Sequence, residues 1–536
     1  MPAKRCTVTF EPGSRQVEVA CGSTLRAAAK KAKVDFLSPC GGLGTCGRCA
    51  VTVTGSLDEP RRDELILLTP TALQRGTRLA CQARVVGDCT VRRLRVIPPS
   101  ELKIVESGNL GEVSVEPPER RGLFGPEPAL GAAVDVGTTT LVVALVDLRS
   151  GETLGTASAM NPQHPFGHDI LSRIVAVAKN GPNALRLPVI SAIEDLIEGL
   201  LERAGHGVAN LRGLSIVGNT AMLHIVLGID PAPLGAAPYT PAHADAVVSP
   251  ASQLGFTRVG TARLYALPGI SAFLGADITA GMVTVRLAEH PGPSLLIDLG
   301  TNGEIVVWTS ERLVGASTAA GPALEGASIG AGMFASTGAI ERVTLEGDDL
   351  VLGTIGDADA VGICGSGLID LVAALLDAGV IDPTGLMLDD APHPLASRVT
   401  VRDGIRAFEV ADGVFLSQID VRQVQLAVSA VSTGIDLLLE SLAVSPASVV
   451  DVIIAGGFGL HVRGEALARI GMIPRGWAPR VSFAGNTAIA GATRALLDSA
   501  ERRRASAIAH HMQTLDLAAE PGFSERFVAA LAFPNS

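Results

Sequence analysis

The placement of cysteine constrains this chain more than any other feature. Seven of the eight cysteines fall within the first 89 residues, and only Cys364 lies outside them. Four of the seven, Cys40, Cys46, Cys49 and Cys81, follow the spacing C-x5-C-x2-C-x31-C, with the first three on one glycine-rich loop. In a chain whose N-terminus shows no secretory signal, this concentration is typical of metal binding or redox chemistry rather than of a disulfide framework.

The spacing predicts a 2Fe–2S cluster. Such a cluster needs four thiolates that converge on two irons, and the glycines between Cys40 and Cys49 allow the backbone to curl around the inorganic sulfides. A zinc site is the alternative, but its usual paired C-x2-C geometry is missing. The loop resembles that of adrenodoxin-type ferredoxins, which implies a β-grasp domain. The other cysteines lack ligand spacing and are interpreted as small buried side chains: Cys6, Cys21, Cys89 and Cys364.

Length and charge limit the classes of protein to consider. A chain of 536 residues predicts about three to four folding units. Its net charge of −11 and its aromatic content of 3% argue against nucleic acid as a partner. Residues 1–97 carry a net charge of +8, so the remainder carries −19. No apolar run approaches the length of a membrane span, and we therefore expect a cytoplasmic protein.

Five segments are predicted from the order of strands, helices and prolines. They are a ferredoxin domain at 1–97, a proline-rich linker at 98–128, two lobes at 129–290 and 291–500, and a tail at 501–536.

Local patterns predict individual elements within these segments. The first segment contains apolar alternation typical of strands at 7–10, 16–19, 49–54, 79–85 and 90–96, and Ser23 is the expected N-cap of a helix over 24–33. Long helices are expected at about 184–204 and 418–441.

An internal repeat links the two lobes. Asp135-Val-Gly-Thr-Thr-Thr140 and Asp298-Leu-Gly-Thr-Asn-Gly-Glu304 each close an apolar strand with an Asp-x-Gly-Thr turn. A Gly-Asn-Thr-Ala sequence also occurs once in each half, at 218–221 and 485–488. Two related halves are therefore predicted.

The repeated turns suggest a phosphate-binding site of a kind that uses no P-loop, because the sequence contains no G-x-x-x-x-G-K-[ST]. In each turn the glycine lets a phosphate approach the backbone, the threonine and the N–H groups donate hydrogen bonds, and the aspartate can hold a hydrated Mg²⁺. A third glycine-rich segment, residues 453–459, follows an apolar strand and could cover an adenine ring.

This set of motifs resembles the ATPase superfamily of acetate and sugar kinases, heat-shock chaperones and actin. The resemblance implies two RNase-H-like lobes with ATP between them, in a multidomain chain of α+β and α/β type. Asp135, Asp298 and Glu304 are the expected catalytic carboxylates. The expected nucleotide-binding residues lie in three loops: Gly137, Thr138, Thr139, Gly300, Thr301, Asn302, Gly456, Gly457 and Gly459.

A 2Fe–2S domain fused to such an ATPase resembles the reductive activators of corrinoid enzymes. The matching segments extend over most of the chain: 161–163, 218–222, 267–269, 321–326, 364–370 and 485–487. The resemblance implies ATP-dependent transfer of one electron from the cluster to Co(II), which regenerates Co(I) for methyl transfer. It implies a corrinoid-binding protein or methyltransferase as partner and an upstream electron donor. A homodimer is compatible with the sequence, which does not determine the oligomeric state.

Two other functions are considered. Activators of 2-hydroxyacyl-CoA dehydratases and aryl-CoA reductases use the same ATPase fold, but they bridge a 4Fe–4S cluster between subunits and lack a fused ferredoxin. A non-catalytic, redox-gated ATP-binding module is the other alternative. Glu325, Cys364 and the histidines His164, His168 and His224 are interpreted as structural residues that cap, pack or satisfy polar groups.

Overall fold

Two compact units make up the chain in the computed structural model. One comprises Met1–Ser100 with Pro162–Pro188, and the other comprises Glu101–Asn161 with Val189–Ser536. The structure describes residues 5–11, 14–32, 34, 49–68, 70–92, 113–122, 128–167, 169–326, 328–402, 404–456 and 462–535. The boundaries expected from the sequence at 97, 128, 290 and 500 remain predictions.

The first unit contains a five-stranded mixed sheet in the order β2-β1-β5-β3-β4. Its elements are β1 (Arg5–Glu11), β2 (Arg15–Ala20), α1 (Leu25–Lys31), β3 (Ala50–Leu57), α2 (Arg62–Leu67), α3 (Pro70–Gln74), β4 (Thr77–Leu79), β5 (Val85–Arg92) and α4 (Ile170–Asn180). Strands β1 and β5 run parallel and the other neighbours antiparallel. Val8, Leu25, Val51, Leu79 and Val91 are fully or almost fully buried in one core.

Two details of this unit differ from the prediction. No strand spans 79–85, because β4 ends at Leu79 and the chain turns back there, with the Gln82 and Ala83 N–H groups both donating to the Leu79 carbonyl at 2.9 and 2.8 Å. The N-cap of α1 is Thr24 rather than Ser23, since the Thr24 hydroxyl accepts the N–H of Ala27 at 3.2 Å.

The second unit contains two six-stranded sheets. The first has the order β10-β11-β9-β6-β7-β8. Its strands and the helices of this half are β6 (Leu130–Val136), β7 (Thr140–Asp147), β8 (Thr153–Met160), α5 (Pro182–Arg203), β9 (Leu211–Gly218), α6 (Thr220–Leu227), β10 (Val247–Pro250), β11 (Arg263–Ala266) and α7 (Ala276–Val285).

The second sheet has the order β22-β21-β12-β13-β14-β23, and two three-stranded sheets accompany it. The elements are β12 (Ser294–Leu299), β13 (Gly303–Trp308), β14 (Leu313–Thr318), β15 (Ala339–Glu346), β16 (Asp349–Thr354), β17 (Gly362–Ile363), α8 (Gly365–Asp377), β18 (Val399–Arg402), β19 (Ile405–Ala411), β20 (Val414–Ser417), α9 (Gln418–Ser441), β21 (Asp451–Ala455), α10 (Gly464–Arg469), β22 (Val481–Gly485), α11 (Thr487–Leu497), α12 (Ser499–His511), β23 (Gln513–Thr514) and α13 (Phe523–Ala529).

The two six-stranded sheets share a topology over five strands, and their sixth strands, β10 and β23, lie at opposite edges. In each, three consecutive antiparallel strands (β6-β7-β8 or β12-β13-β14) are followed by two strands that extend the sheet in parallel with the first. The Asp-x-Gly-Thr turns fall at equivalent places, because Asp135 and Asp298 are the penultimate residues of β6 and β12. This repeat confirms the predicted fold class of two RNase-H-like lobes after a ferredoxin domain.

The long helices also agree with the sequence. Helix α9 is long and apolar enough to cross a membrane by length and composition, but 72% of its apolar window is buried inside the protein. Val424, Val431 and Leu438 of this helix belong to the core of the second lobe. Its apolar character is therefore explained by packing.

Candidate nucleotide and iron–sulfur sites

The first Asp-x-Gly-Thr turn connects β6 to β7. A Cβ on Gly137 would lie 2.8 Å from the Thr140 carbonyl oxygen, so the turn closes tightly only with glycine there. Buried Asn161 supports the turn from behind, since its Nδ2 donates to the Gly137 carbonyl and its backbone N–H donates to the Thr139 carbonyl, both at 2.8 Å. These bonds hold the turn between Asp135 and Thr140 in one shape.

The second turn lies between β12 and β13. The Gly300 N–H donates to the Asn302 carbonyl at 2.9 Å. The Thr301 hydroxyl lies 3.0 Å from both carboxylate oxygens of Glu325. Glu325, which the sequence suggested as a cap or packing residue, therefore contacts the second Asp-x-Gly-Thr turn directly.

Glu304 faces the carboxylate at the end of β12. In the antiparallel register Asp298 pairs directly with Glu304, and Ser317 of β14 donates its hydroxyl to Glu304 Oε1 at 3.3 Å. Like charges directly opposite each other on a sheet destabilise it. The pair therefore favours a bound cation or a shared proton.

The third loop begins at Gly456, directly after β21. Gly456 has φ +113°, and a Cβ there would lie 2.2 Å from the Leu299 carbonyl oxygen and 3.1 Å from Asp298 Oδ1. Only glycine permits this approach of the third loop to the second. Gly457 and Gly459 lie outside the described residues.

Asp277, in the first turn of α7, is a carboxylate that the sequence did not reveal. Burial and the neighbouring Asp277 raise the pKa of Asp298 to about 7, and Asp135 adds to that shift. Asp277 also raises the pKa of Glu304, in addition to a larger effect of burial. Four carboxylates from different elements therefore act on one another electrostatically.

Asp135 and Asp277 titrate near neutrality as well. Burial raises the pKa of Asp135 to about 7, while a hydrogen bond from Asn486 opposes the shift and the charge of Asp277 adds to it. Burial raises the pKa of Asp277 to about 6 against hydrogen bonds from backbone N–H groups. Charged together, these groups repel one another, which a cation would relieve.

Two asparagines, also absent from the predicted set, contact the first loop. Asn219 Nδ2 donates to Thr138 Oγ1 at 2.8 Å, and Asn486 Nδ2 donates to Asp135 Oδ2 at 3.1 Å. Both belong to the Gly-Asn-Thr-Ala sequences that occur once in each half. The repeated Gly-Asn-Thr-Ala sequence is the feature from which these two asparagines could have been predicted.

The iron–sulfur ligands are only partly within the described residues. Cys49 and Cys81 are buried and are not disulfide-bonded, whereas Cys40 and Cys46 lie outside the described residues. The Cys81 N–H lies 3.5 Å from Cys49 Sγ, and Gln82 Nε2 lies 3.6 Å from Cys81 Sγ. Buried sulfurs near N–H donors fit the thiolate ligands of a 2Fe–2S cluster.

One interpretation of the remaining cysteines is wrong. Cys6 and Cys21 form a disulfide, with their Cα atoms 5.5 Å apart, instead of standing as separate buried thiols. The pairing of β1 with β2 places Arg5 opposite Ala20, which brings the next residue, Cys21, beside this end of β1. Cys89 and Cys364 are buried thiols, as expected.

His224 is buried, and its Nε2 has no hydrogen-bond partner within the described residues. His224 is 2% exposed, and its Nδ1 lies 2.7 Å from the Thr220 carbonyl oxygen of the same helix. Burial lowers its pKa. His164 is half-buried in a short 3-10 turn, and His168 lies outside the described residues. Among the residues that the structure describes, no three His, Cys, Asp or Glu side chains are grouped to hold a metal ion by themselves.

The fold and these sites define a class of protein: a 2Fe–2S ferredoxin domain joined to a two-lobed, actin-like ATPase. Three family models match along the chain. Residues 8–86 match the 2Fe-2S iron-sulfur cluster binding domain, residues 130–290 the RACo middle region, and residues 292–536 the C-terminal domain of RACo, the ASKHA domain.

Relatives that align with more than two thirds of the chain agree with these matches. The chain is 34% identical over 427 residues, covering 76% of its length and 71% of the relative, to the "Corrinoid activation enzyme RamQ" of Eubacterium limosum. It is 27% identical over 405 residues, covering 69% of its length and 70% of the relative, to the "[Co(II) methylated amine-specific corrinoid protein] reductase" of Methanosarcina barkeri.

A solved structure, the "Reductive activator for corrinoid,iron-sulfur protein", superposes with a TM-score of 0.71 at 28% identity and covers 99% of this chain and 98% of its own. The chain belongs to the RACo family of reductive activators of corrinoid proteins.

Proposed function

We propose that this protein uses ATP to reduce the cobalt of a corrinoid protein from Co(II) to Co(I), one electron at a time. The observation that carries this proposal is that one chain contains both a ferredoxin domain and two Asp-x-Gly-Thr loops. The same chain aligns over almost its full length with a solved corrinoid activator. Dehydratase-type activators lack the fused ferredoxin domain. The partner that we expect is therefore a corrinoid-binding protein or methyltransferase.

Cys40, Cys46, Cys49 and Cys81 would hold the 2Fe–2S cluster, which supplies a single electron when reduced. Cys49 directly precedes β3 and Cys81 follows β4 by two residues, and these strands pair through Ala50 and Leu79. This pairing fixes two of the four sulfurs before a cluster binds. An upstream electron donor must restore the electron after each transfer.

The two turns would hold Mg-ATP through complementary groups. Backbone N–H groups and the threonine hydroxyls of the turns would donate to phosphate oxygens, and Asp135 and Asp298 would hold the Mg²⁺. Mg²⁺ commonly binds through one or two carboxylates and substrate phosphates. The mutual repulsion of Asp135, Asp277 and Asp298 makes this group of carboxylates favourable for a cation.

ATP binding gives the protein two states in which a corrinoid partner can be bound. Each phosphate loop belongs to a different sheet, so a nucleotide held by both loops favours one arrangement of the two lobes. Reduction of Co(II) is uphill, and ATP can drive it only if one of these arrangements binds the Co(I) form of the partner better. We place this chemistry in the cytoplasm.

The test mixes reduced protein with a purified corrinoid protein in the Co(II) state and follows the Co(I) absorption spectrum by stopped flow. We expect Co(I) to form with Mg-ATP and not with Mg-ADP. Asp135→Ala should abolish ATP-dependent reduction while keeping the visible spectrum of the cluster, since the two sites lie in separate domains.

Two outcomes would overturn the proposal. ATP turnover without Co(I) across several corrinoid proteins would favour the activator of a different metalloenzyme. Absence of ATP turnover in the presence of every corrinoid protein tested would favour the redox-gated binding module.

A further inference from the structure

We propose that Asn486 is a positioning residue of the nucleotide site, whose side-chain amide holds the Asp135 carboxylate in the orientation needed for Mg²⁺. The inference rests on the proposed ATP site and adds a residue to it. Asn486 touches neither Mg²⁺ nor nucleotide in this role, and it acts through Asp135.

Asn486 lies where the chain passes from one sheet to the other. It follows β22, an edge strand of the second sheet, and it precedes α11, which packs on α7 and on β6 and β9 of the first sheet. The residue before it, Gly485, accepts the N–H of Gly456 at 3.2 Å. One short segment therefore contacts the third loop on one side and Asp135 on the other.

The two ends of the Asn486 amide have different partners. Oδ1 accepts the N–H of Ile489 at 3.0 Å, as expected of the N-cap of α11. Because the oxygen is committed to the helix, the NH₂ group faces Asp135 and donates to Oδ2 at 3.1 Å. The helix cap therefore determines which end of the amide meets the carboxylate.

The other half of the molecule contains the same device. Asn219 follows β9, and its Oδ1 accepts the N–H of Met222 at 3.0 Å as the N-cap of α6. Its Nδ2 donates to Thr138 Oγ1. Each Gly-Asn-Thr-Ala sequence thus caps a helix with the amide oxygen and supports the first phosphate loop with the amide nitrogen.

Hydrogen-bond partners of a metal-binding carboxylate fix its orientation, and their loss typically costs 10- to 100-fold in metal affinity or activity. Loss of the Asn486 amide should therefore raise the Mg²⁺ concentration that is needed for ATP binding. The stability of α11 should depend only on the capping oxygen.

Asn486→Ser separates the two roles, because serine is as good an N-cap as asparagine but cannot supply the amide nitrogen. The measurement is binding of a fluorescent ATP analogue to the full chain across a Mg²⁺ titration. We expect the Mg²⁺ half-saturation concentration to rise about 10- to 100-fold, with the melting temperature and the cluster spectrum close to wild type. Asn486→Thr also retains a capping hydroxyl and provides a second variant should the serine protein fold poorly.

The control is Asn210→Ser, which removes an asparagine amide that donates to the Pro128 carbonyl at 3.4 Å, outside the loops described above. It should leave the Mg²⁺ titration unchanged. An unchanged titration in Asn486→Ser and Asn486→Thr, beside a clear loss in Asp135→Asn, would overturn the role of Asn486 alone.

A double variant completes the design. If Asn486 acts through Asp135, Asn486→Ser should add no further loss to Asp135→Asn, because interacting residues are not additive. Full additivity would contradict the proposal. An unchanged titration in Asp135→Asn itself would instead contradict the proposed nucleotide site.

Discussion

Gly491 of α11 lies so close to Ala280 of α7 that a Cβ on the glycine would stand 2.2 Å from the Ala280 carbonyl oxygen. The Thr284 hydroxyl, 2.9 Å from the Thr487 carbonyl oxygen, joins the same two helices. Both helices begin at the proposed nucleotide site, one next to Asp277 and the other at Asn486. The contact between α7 and α11 therefore fixes the position of Asp277 relative to Asn486.

Gly491→Ala should destabilise the protein although alanine favours helices. The clash is with a helix backbone that cannot rotate away, and overpacking of this kind costs about 1–3 kcal/mol. We expect a lower melting temperature together with weaker ATP hydrolysis. Gly199→Ala in α5 is the control, since a Cβ there meets only Arg203 Nη1 at 3.8 Å, and it should stabilise by up to about 1 kcal/mol. Equal stability of the two variants would contradict the close contact.

Glu64→Gln should destabilise the ferredoxin domain. Glu64 is fully buried and bonds Arg78 through both carboxylate oxygens at 2.9 and 2.8 Å, while Oε1 also accepts the Leu79 N–H at 2.9 Å. Without the Glu64 charge, buried Arg78 keeps only the longer ion pair with Asp58 at 3.4 Å, so we expect a loss below the about 3–5 kcal/mol of a fully uncompensated buried charge. Leu79 lies two residues before Cys81, so the loss of visible absorption on heating should begin at lower temperature.

The matched control for this variant is Glu59→Gln, an exposed carboxylate in the same domain. Surface charges of this kind contribute about 0–1 kcal/mol. If both variants lose the visible absorption at the wild-type temperature, the buried pair does not support the cluster region.

Cys49→Ser and Cys81→Ser should each lose the visible absorption and most of the iron, because a 2Fe–2S cluster requires four thiolates. Cys89→Ser is the control, since Cys89 is an equally buried thiol of the same domain. Burial and the adjacent Asp88 raise the pKa of Cys89 to about 11, which disfavours its thiolate. Iron content and absorption that remain wild-type in Cys81→Ser would remove Cys81 from the ligand set.

The sequence was sufficient to predict features that depend on residues close together along the chain. The apolar runs before Asp135 and Asp298 are the strands β6 and β12, and the common turn after them marks the repeat of the sheets. The four-cysteine spacing indicated the ferredoxin domain for the same reason, since its ligands are defined by one loop and a later cysteine in a turn after β4. Motifs of this kind depend on short-range geometry.

Features that depend on how distant segments meet could not be read from the sequence. In the sequence, Asp277 is only an acidic residue in the first turn of a helix. Its position in the site depends on Gly275, which lets the start of α7 approach Asn219: a Cβ on Gly275 would lie 2.6 Å from Asn219 Cα. The Cys6–Cys21 disulfide depends on the register of β1 and β2, which cysteine spacing does not give. The sequence around Asn486 indicates no more than a helix N-cap. Its contact with Asp135, 351 residues away, is visible only in the folded structure.

The stability of the nucleotide-free protein should depend on pH through Asp298. Its pKa is raised from 3.8 to about 7, so between about pH 4 and pH 7 the folded protein binds more protons there than the unfolded chain does. The free energy of unfolding therefore falls as the pH rises through this range, by about 1.4 kcal/mol for each pKa unit of difference.

Asp298→Asn removes this contribution. At pH 5 Asp298 is protonated and resembles asparagine in shape and charge, so the two proteins should melt at similar temperatures. At pH 8 the wild type carries the charge opposite Glu304, and the variant should melt several degrees higher while hydrolysing ATP poorly. Asp348→Asn, at an exposed turn, should show no such pH-dependent difference. A melting difference that is the same at pH 5 and pH 8 would contradict the raised pKa of Asp298.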